Sequence, residues 1–447
     1  MRSIRDAATG VPPLPARLEP WMVNLLTDRA RCRELLAEHG SPVNVLDAAP
    51  LARNAAELVD AGRGLGVDVR LFYARKANKA LVFVDAARDA GHGVDVASLA
   101  ELAQTLDRGV PGERIIVSAA IKGEALLDLA VASGACISLD NADELALLTR
   151  VADRRRARVA PRVAVPGLSV PSRFGLPVDE WTRLLADSAF DLVGVHAHLH
   201  GYAAADRVAA AGEAFRLIDG LAGDWQFVDL GGGVPMSYLE DEAAWRCFWD
   251  AMAARDVTTW HDHRLGTVYP YWQAPVRAEW LRALLTSQVG GETVADGLTR
   301  RGLRLHLEPG RALLDGCGLT LADVAFTKTG IDGTGFVGLA MNRTQCRTTS
   351  DDFLVDPILV RGDASAEASR GFLVGAYCIE NELILQRQIT FPGGVAAGDV
   401  IAIPNTAGYF MHIVESASHQ LPLARNVVHA TDTYTLDAMD AEPRAGA

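Results

Sequence analysis

Eight short apolar runs constrain the fold of this 447-residue chain more than any other feature. They are VRLFYA (69–74), HGVDVA (92–97), RIIVSA (114–119), CISLD (136–140), RVAV (162–165), LVGVHAHL (192–199), FVDL (227–230) and LRLHL (303–307). Between most of them lie alanine- and leucine-rich stretches with helical spacing, such as SLAELAQTL (98–106) and NADELALLTRVAD (141–153). Strand then helix, eight times over, is the pattern of a parallel (β/α)8 TIM-type barrel. An open doubly wound sheet is the rival; eight units and the lack of an early GxGxxG favour the barrel. The gap from 234 to 302 is too long for one crossover helix and holds TVYPYWQAPVRAEWLRALL, so an insertion at about 236–300 is expected near the barrel mouth. Past about residue 315 the rhythm changes to strand-like runs separated by turn signals, including LTLADVAFTKTG, GFLVGAYC and GDVIAIPN. The expected organisation is an N-terminal segment 1–47, a barrel 48–315 and a C-terminal β-sandwich or β-barrel domain 316–447, with SPVNVLDAAP (41–50) joining the β domain.

A net charge of −13 argues against nucleic acid or an anionic membrane surface as the main partner. No apolar run is long enough to span a bilayer, and MRSIRDAATGVPPLP lacks the apolar stretch of a signal peptide, so a cytoplasmic protein is expected. The six cysteines form no CxxC pair, which points to reduced thiols rather than a zinc site or a disulfide framework.

In such a barrel the reactive groups sit where the strands end. The first run is followed by Lys76, Asn78 and Lys79, two of only four lysines in the chain. The second contributes Asp95 and Ser98, the sixth His196, His198 and His200, the seventh Gly231, Gly232 and Gly233, and the eighth Glu308, Pro309, Gly310 and Arg311. If YARK continues the strand, alternation puts Lys76 on the side of Phe72 and Ala74, whereas Lys79 reads as a solvated neighbour. DLGGGVP lets backbone N–H groups approach a phosphate, and Arg311 arrives beside it; a plain tight turn is the alternative. A phosphate site and one lysine at a strand end suggest pyridoxal phosphate. A carboxylate such as Glu308 keeps a pyridine nitrogen protonated, and the protonated ring is the stronger electron sink, as loss of CO2 requires. A surface ion pair between Glu308 and Arg311 is the other reading. HAHLH puts three histidines on one strand face, as in barrel metal hydrolases. The later strand ends offer glycines and EPGR rather than further ligands, so a histidine stacked on a cofactor ring is expected, and no metal.

Together YARKAN, DVAS, HLHGY, GGG, EPGR and GAYC resemble the fold type III pyridoxal phosphate decarboxylases, the diaminopimelate, ornithine and arginine decarboxylases, from about residue 42 to about 430. The resemblance implies an alanine racemase-like barrel, a β domain and a head-to-tail homodimer with shared active sites. It implies that Lys76 holds the cofactor covalently, that His198 stacks on its ring and that Glu308 faces its nitrogen. Gly231, Gly232, Gly233, Gly310, Arg311 and Tyr409 match the phosphate cradle, Asp95 and Glu101 the acidic positions near the lysine, and Ser172, Arg173, Phe174 and Gly175 the S-K/R-F-G stretch. Cys378 resembles the cysteine that protonates the carbanion across a dimer interface. The chain departs from the pattern where an acidic residue usually follows that cysteine: CIENELI has Ile379, with Glu380 and Glu382 further on. HLHG, the aromatic insertion and MNRTQ (341–345) are also atypical and are similar to a branch acting on larger conjugates, siderophore-type or carrier-linked. The expected activity is decarboxylation of an amino acid or amino-acid conjugate in specialised metabolism. Diaminopimelate or another basic amino acid is the alternative substrate. A racemase, a metal-dependent amidohydrolase, a non-catalytic cofactor carrier and a degenerate partner-binding subunit stand behind it.

Overall fold

The computed structural model describes residues 4–153, 155–265, 268–348, 353–362 and 367–441. The outer ends of the first and last expected segments, 1–3 and 442–447, and Thr267 of the aromatic insertion lie outside the described residues.

Parallel strands run through Val69–Ala74, Gly93–Val96, Ile115–Val117, Cys136–Leu139, Arg158–Pro161, Phe227–Gly232 and Arg304–Leu307. One more strand is broken at Val193 into Asp191–Leu192 and Gly194–Leu199. Its first part pairs with Arg158–Pro161 and its second with Phe227–Gly232. Arg304–Leu307 returns to Val69–Ala74. The seam at the break is closed by Val193 N donating to Val159 O at 3.0 Å and Val163 N donating to His196 O at 2.8 Å. The barrel reading is therefore borne out, with eight staves.

The fifth strand is displaced from its expected place. ARVAPRVAV carries RVA on both sides of Pro161; the strand takes the first copy, and only isolated bridges at Arg162 and Val163 extend it. Apolar alternation fits either copy, but only the first is in register with both Cys136–Leu139 and Asp191–Leu192. Arg162 is consequently at the end of the strand, where the site is, rather than at its start.

Two of the helices between the strands begin at polar caps. Ser98 Oγ accepts from Glu101 N at 3.1 Å and opens Leu99–Asp107. Asn141 does the same for Glu144 N at 2.9 Å and opens Ala142–Ala152. The floor of the barrel interior is apolar, with Phe72, Ile116, Cys136, Ala160, Val193 and Phe227 in one cluster. His306 lies flat on Phe227, ring centroids 3.9 Å apart. Each such large side chain removed from water contributes about 1.5–3 kcal/mol. Polar interior positions begin one layer higher, toward the C-terminal strand ends.

The β domain is organised on the long strand Gly318–Thr329, which pairs with Gly335–Leu339, Val400–Pro404 and Val43–Leu46. Val43–Leu46 lies between that strand and Arg425–Ala430. Several runs that read as strands in this region are shorter than their apolar stretches; LILQRQITFP is a strand only over Ile389–Phe391, with isolated bridges at Leu383 and Arg387. The insertion forms helices Glu242–Ala254, Arg277–Thr286 and Val294–Arg300, and its Trp245, Phe248 and Tyr271 pack toward Phe353 and Phe410 of the β domain. No helix of the described residues is long and apolar enough to cross a membrane.

The β domain also braces the first barrel loop. Asp437 accepts from Leu81 N at 3.0 Å and Val82 N at 2.9 Å, capping helix Leu81–Asp89 from 355 residues away. Tyr409 N donates to Ala77 O at 2.8 Å, and Asn78 Nδ2 donates to Ala407 O at 2.9 Å. Lys79 is not a solvated neighbour: its ammonium pairs with the buried Glu415 carboxylate, and its backbone N–H donates to His412 Nδ1 at 3.3 Å.

His306 gives the first prediction. Its Nδ1 is buried without a hydrogen-bond partner among the described residues, and burial, then the Arg304, Arg70 and Arg158 cations, hold its pKa well below the usual value. The unfolded chain takes up a proton near pH 6.5 that the folded chain refuses, so His306 costs stability as pH falls, by up to about 1.4 kcal/mol per pH unit. His306→Phe should raise stability in urea unfolding, and the gain should be larger at pH 5 than at pH 8.

Candidate active site

Above the apolar floor the strand ends open into a cavity of about 690 Å³. Lys76, Arg173, His198, His200, Gly232, Gly233, Glu308, Gly310, Arg311 and Tyr409 line it, drawn from both the barrel and the β domain. Thus most of the residues singled out in the sequence meet around one space.

Lys76 reaches it by a different route from the one alternation suggests. The strand stops at Ala74, and Arg75–Ala77 is a single 3₁₀ turn. The ammonium lies 2.6 Å from Asp95 Oδ2, and Ser118 donates to the other oxygen of Asp95. Burial alone would lower the Lys76 pKa, but the Asp95 and Glu308 carboxylates outweigh it and hold it above the usual lysine range. Glu101 does not join this pair; its carboxylate accepts from Ala97 N at 2.7 Å near the helix start.

Glu308 follows the last barrel strand. It is fully enclosed, and neither carboxylate oxygen has a hydrogen-bond partner among the described residues. His196 Nε2 and His198 Nδ1 approach its Oε2 at 3.7 and 3.6 Å. Burial pushes its pKa up, against the pull of Lys76 and Arg162. The alternative, a surface pair with Arg311, does not form among the described residues. Arg311 instead donates to Tyr238 Oη at 3.1 Å and Gly408 O at 3.0 Å, with its guanidinium over the rings of Tyr269 and Tyr409 at 4.1 and 5.2 Å. Gly310 packs beneath: a Cβ there would stand 2.6 Å from Tyr409 Oη. At Gly231 a Cβ would stand 2.6 Å from Glu308 Oε2 and 2.8 Å from His196 Nε2. Gly232 has φ +99°, a conformation that only glycine adopts at ease.

The three histidines have three environments. His196 is buried, with Ser138 Oγ 2.5 Å from Nδ1. His198 faces the cavity, its pKa pushed down to about 3 by burial and then by the Lys76 and Arg162 cations, so its ring is neutral. Phe174 sets its edge against this ring at 5.8 Å, and Arg173 lies over Phe174 at 4.1 Å. Ser172 donates to His198 O at 3.5 Å, and Gly175 N donates to Asp140 at 3.0 Å. His200, past the strand end, lines the mouth. His196, His198 and Glu308 could bring one ligand atom each to within 4.8 Å of one another. The positive charge of Lys76 and Arg162 at the same place works against a divalent ion.

Cys378, Ile379 and Glu380 are exposed on the β domain and do not line the cavity of their own chain. Glu382 is buried and structural, accepting from Arg343 N at 2.7 Å.

Five participants escaped the sequence reading. Arg162 was hidden by the misplaced fifth strand. Ser138 and Asp229 sit two positions from Cys136 and Gly231 within the quoted runs, and period-two alternation puts each pair on one strand face. Tyr238 and Tyr269, beside Arg311, come from the insertion, which no spacing connects to the barrel.

These residues fit pyridoxal phosphate: an amine, an orphaned carboxylate at the cavity base and an arginine beside open glycine backbone face one space. The comparisons with known proteins agree. Residues 53–257 match the family model described as pyridoxal-dependent decarboxylase, pyridoxal binding domain. The chain is 34% identical over 408 residues to the uncharacterized protein y4yA of Sinorhizobium fredii, covering 87% of both chains. It is 27% identical to a diaminopimelate decarboxylase of Actinosynnema pretiosum, covering 90% of this chain and 86% of the other. Diaminopimelate decarboxylase of M. jannaschii, solved with L-lysine, superposes with a TM-score of 0.72 at 20% identity, covering 90% of both chains.

Gly231→Ala should force Glu308 and His196 apart from their present places. We expect a loss of about 1–3 kcal/mol in thermal unfolding, and a protein as stable as the parent would show that the two side chains have room to yield.

Proposed function

The chain belongs to the pyridoxal-dependent decarboxylase family, and from that we propose that it removes the α-carboxylate of an amino-acid conjugate whose far end lies outside the cavity base. It is a pyridoxal phosphate-dependent amino acid carboxy-lyase. When bound, the cofactor supplies an electron sink for the pair left behind by CO2. Lys76 would hold it and release it to the substrate amine, with Asp95 keeping the ammonium oriented. His198, neutral at working pH, would lie against its ring without competing for charge. Arg311 and the backbone of Gly231, Gly232 and Gly233 would take the phosphate, with Tyr409 and Gly310 closing that side.

The observation that carries the reading is the enclosed, unpartnered Glu308. A buried carboxylate without donors is costly unless something charged arrives to face it. A protonated pyridine nitrogen is such a partner, and it favours decarboxylation over racemisation.

The finer substrate reading rests on the mouth. Arg173 and His200 border it, and the position after Cys378 is Ile379, half exposed and unable to pair a distal ammonium. Exposed Leu99, Ile121, Val170 and Ile413 follow barrel strands or line the cavity, an apolar rim that supports coverage by a second copy. Cys378 of that copy would then supply the proton that replaces CO2.

The protein loaded with pyridoxal phosphate and offered meso-diaminopimelate, ornithine, lysine and citrate–amine conjugates with a free α-amino acid end should release CO2 from a conjugate. Efficient turnover of diaminopimelate alone would overturn the conjugate reading and leave a divergent basic amino acid decarboxylase. Lys76→Ala should abolish the cofactor's visible absorbance on the protein and lower kcat by at least roughly a thousandfold. Ile379→Asp should shift preference toward substrates with a distal ammonium.

A further inference from the structure

His196 has no role in the reading above, yet its surroundings define its protonation. Arg162 Nε approaches Nδ1 at 3.4 Å, and an arginine can only donate. Ser138 Oγ, 2.5 Å from the same nitrogen, must then donate as well. With two donors on Nδ1, the single proton of the neutral ring sits on Nε2. That nitrogen has no hydrogen-bond partner among the described residues and lies 3.7 Å from Glu308 Oε2, just outside hydrogen-bond reach. Gly231 leaves the gap between them open, since any Cβ would fill it.

We propose that His196 is a positioning residue: Ser138 and Arg162 lock its tautomer so that Nε2–H is presented to Glu308, keeping that carboxylate ionised and turned toward the ring nitrogen. This rests on Glu308 being the partner of that nitrogen. The need for such a donor follows from the charges in the barrel. Asp95 already has Lys76, 2.6 Å away. Asp229, buried with both oxygens unpartnered among the described residues, is pushed well above the usual carboxylate range by burial and by Glu308 and Asp95, which favours its neutral form. Glu308 alone must keep its charge without a salt bridge of its own. A doubly protonated His196 is excluded by burial and by the facing Arg162, His198, Lys76 and Lys122, which together hold its pKa well below the usual value. The ring therefore donates as a neutral group over the working pH range.

Two measurements on the protein before cofactor loading test this. Nitrogen NMR with labelled histidine, assigned by comparison with His196→Gln, should show His196 as the Nε2–H tautomer from pH 8 to pH 5. Infrared difference spectra should show a new protonated carboxyl band in His196→Phe that is missing from the His196→Phe, Glu308→Gln double variant. His196→Gln keeps an N–H donor and should show no such band. In the loaded enzyme, His196→Phe should lower kcat roughly ten- to a hundredfold with KM within about threefold, and His196→Gln should recover most of the loss. An Nδ1–H or doubly protonated ring in the parent protein, or no new carboxyl band in His196→Phe, would overturn the lock. If the protein binds no pyridoxal phosphate, the functional reading fails instead, and the NMR and infrared results still decide the tautomer.

Discussion

Inside one barrel, Asp95, Asp229 and Glu308 are shut away from water with only Lys76 and Arg162 to answer them, and the rest of the site follows from that imbalance. Three carboxylates at close quarters cannot all ionise in a low dielectric. Asp95 keeps its charge by contact with Lys76, Asp229 gives its charge up, and Glu308 sits between these outcomes. His196 and His198 are neutral because burial, and then the cations around them, disfavour a further positive charge. The apolar floor of Phe72, Ile116 and Phe227 raises the stakes by keeping water from entering below.

The β domain is part of the same arrangement. A 3₁₀ turn of three residues cannot by itself hold a lysine against a carboxylate; within the barrel, Arg75–Ala77 is tied to helix Leu99–Asp107 by Arg75, which donates to Glu101 O at 2.8 Å. Contacts from Tyr409, Ala407, Glu415 and Asp437 supply the rigidity. The insertion does the same for Arg311, whose guanidinium is held among tyrosines and so needs no rearrangement to meet an anion.

What the sequence revealed was governed by distance along the chain. The barrel was legible because each stave and its helix are local, and period-two alternation survives burial on one side. Residues at strand ends were legible too, since the fold itself says where reactive groups belong. The fifth strand failed because two identical tripeptides flank a proline and only cross-strand register chooses between them. Lys79 failed for a related reason: its partner, Glu415, is 336 positions away, and no local pattern announces it. Cys378 was recognisable by likeness alone; within its own chain it faces solvent, away from the cavity.

The strand Val43–Leu46 offers a last consequence. It precedes the barrel yet lies between Gly318–Thr329 and Arg425–Ala430. On a ribosome, its flanking neighbours emerge only after every stave has been made. The barrel must therefore assemble with its first segment waiting, and the turn that carries Lys76 lacks its β-domain braces until residues beyond 400 arrive. Translation order thus withholds a finished active site from every nascent chain that stops short of the β domain, so truncated products expose an incomplete pocket rather than a working one.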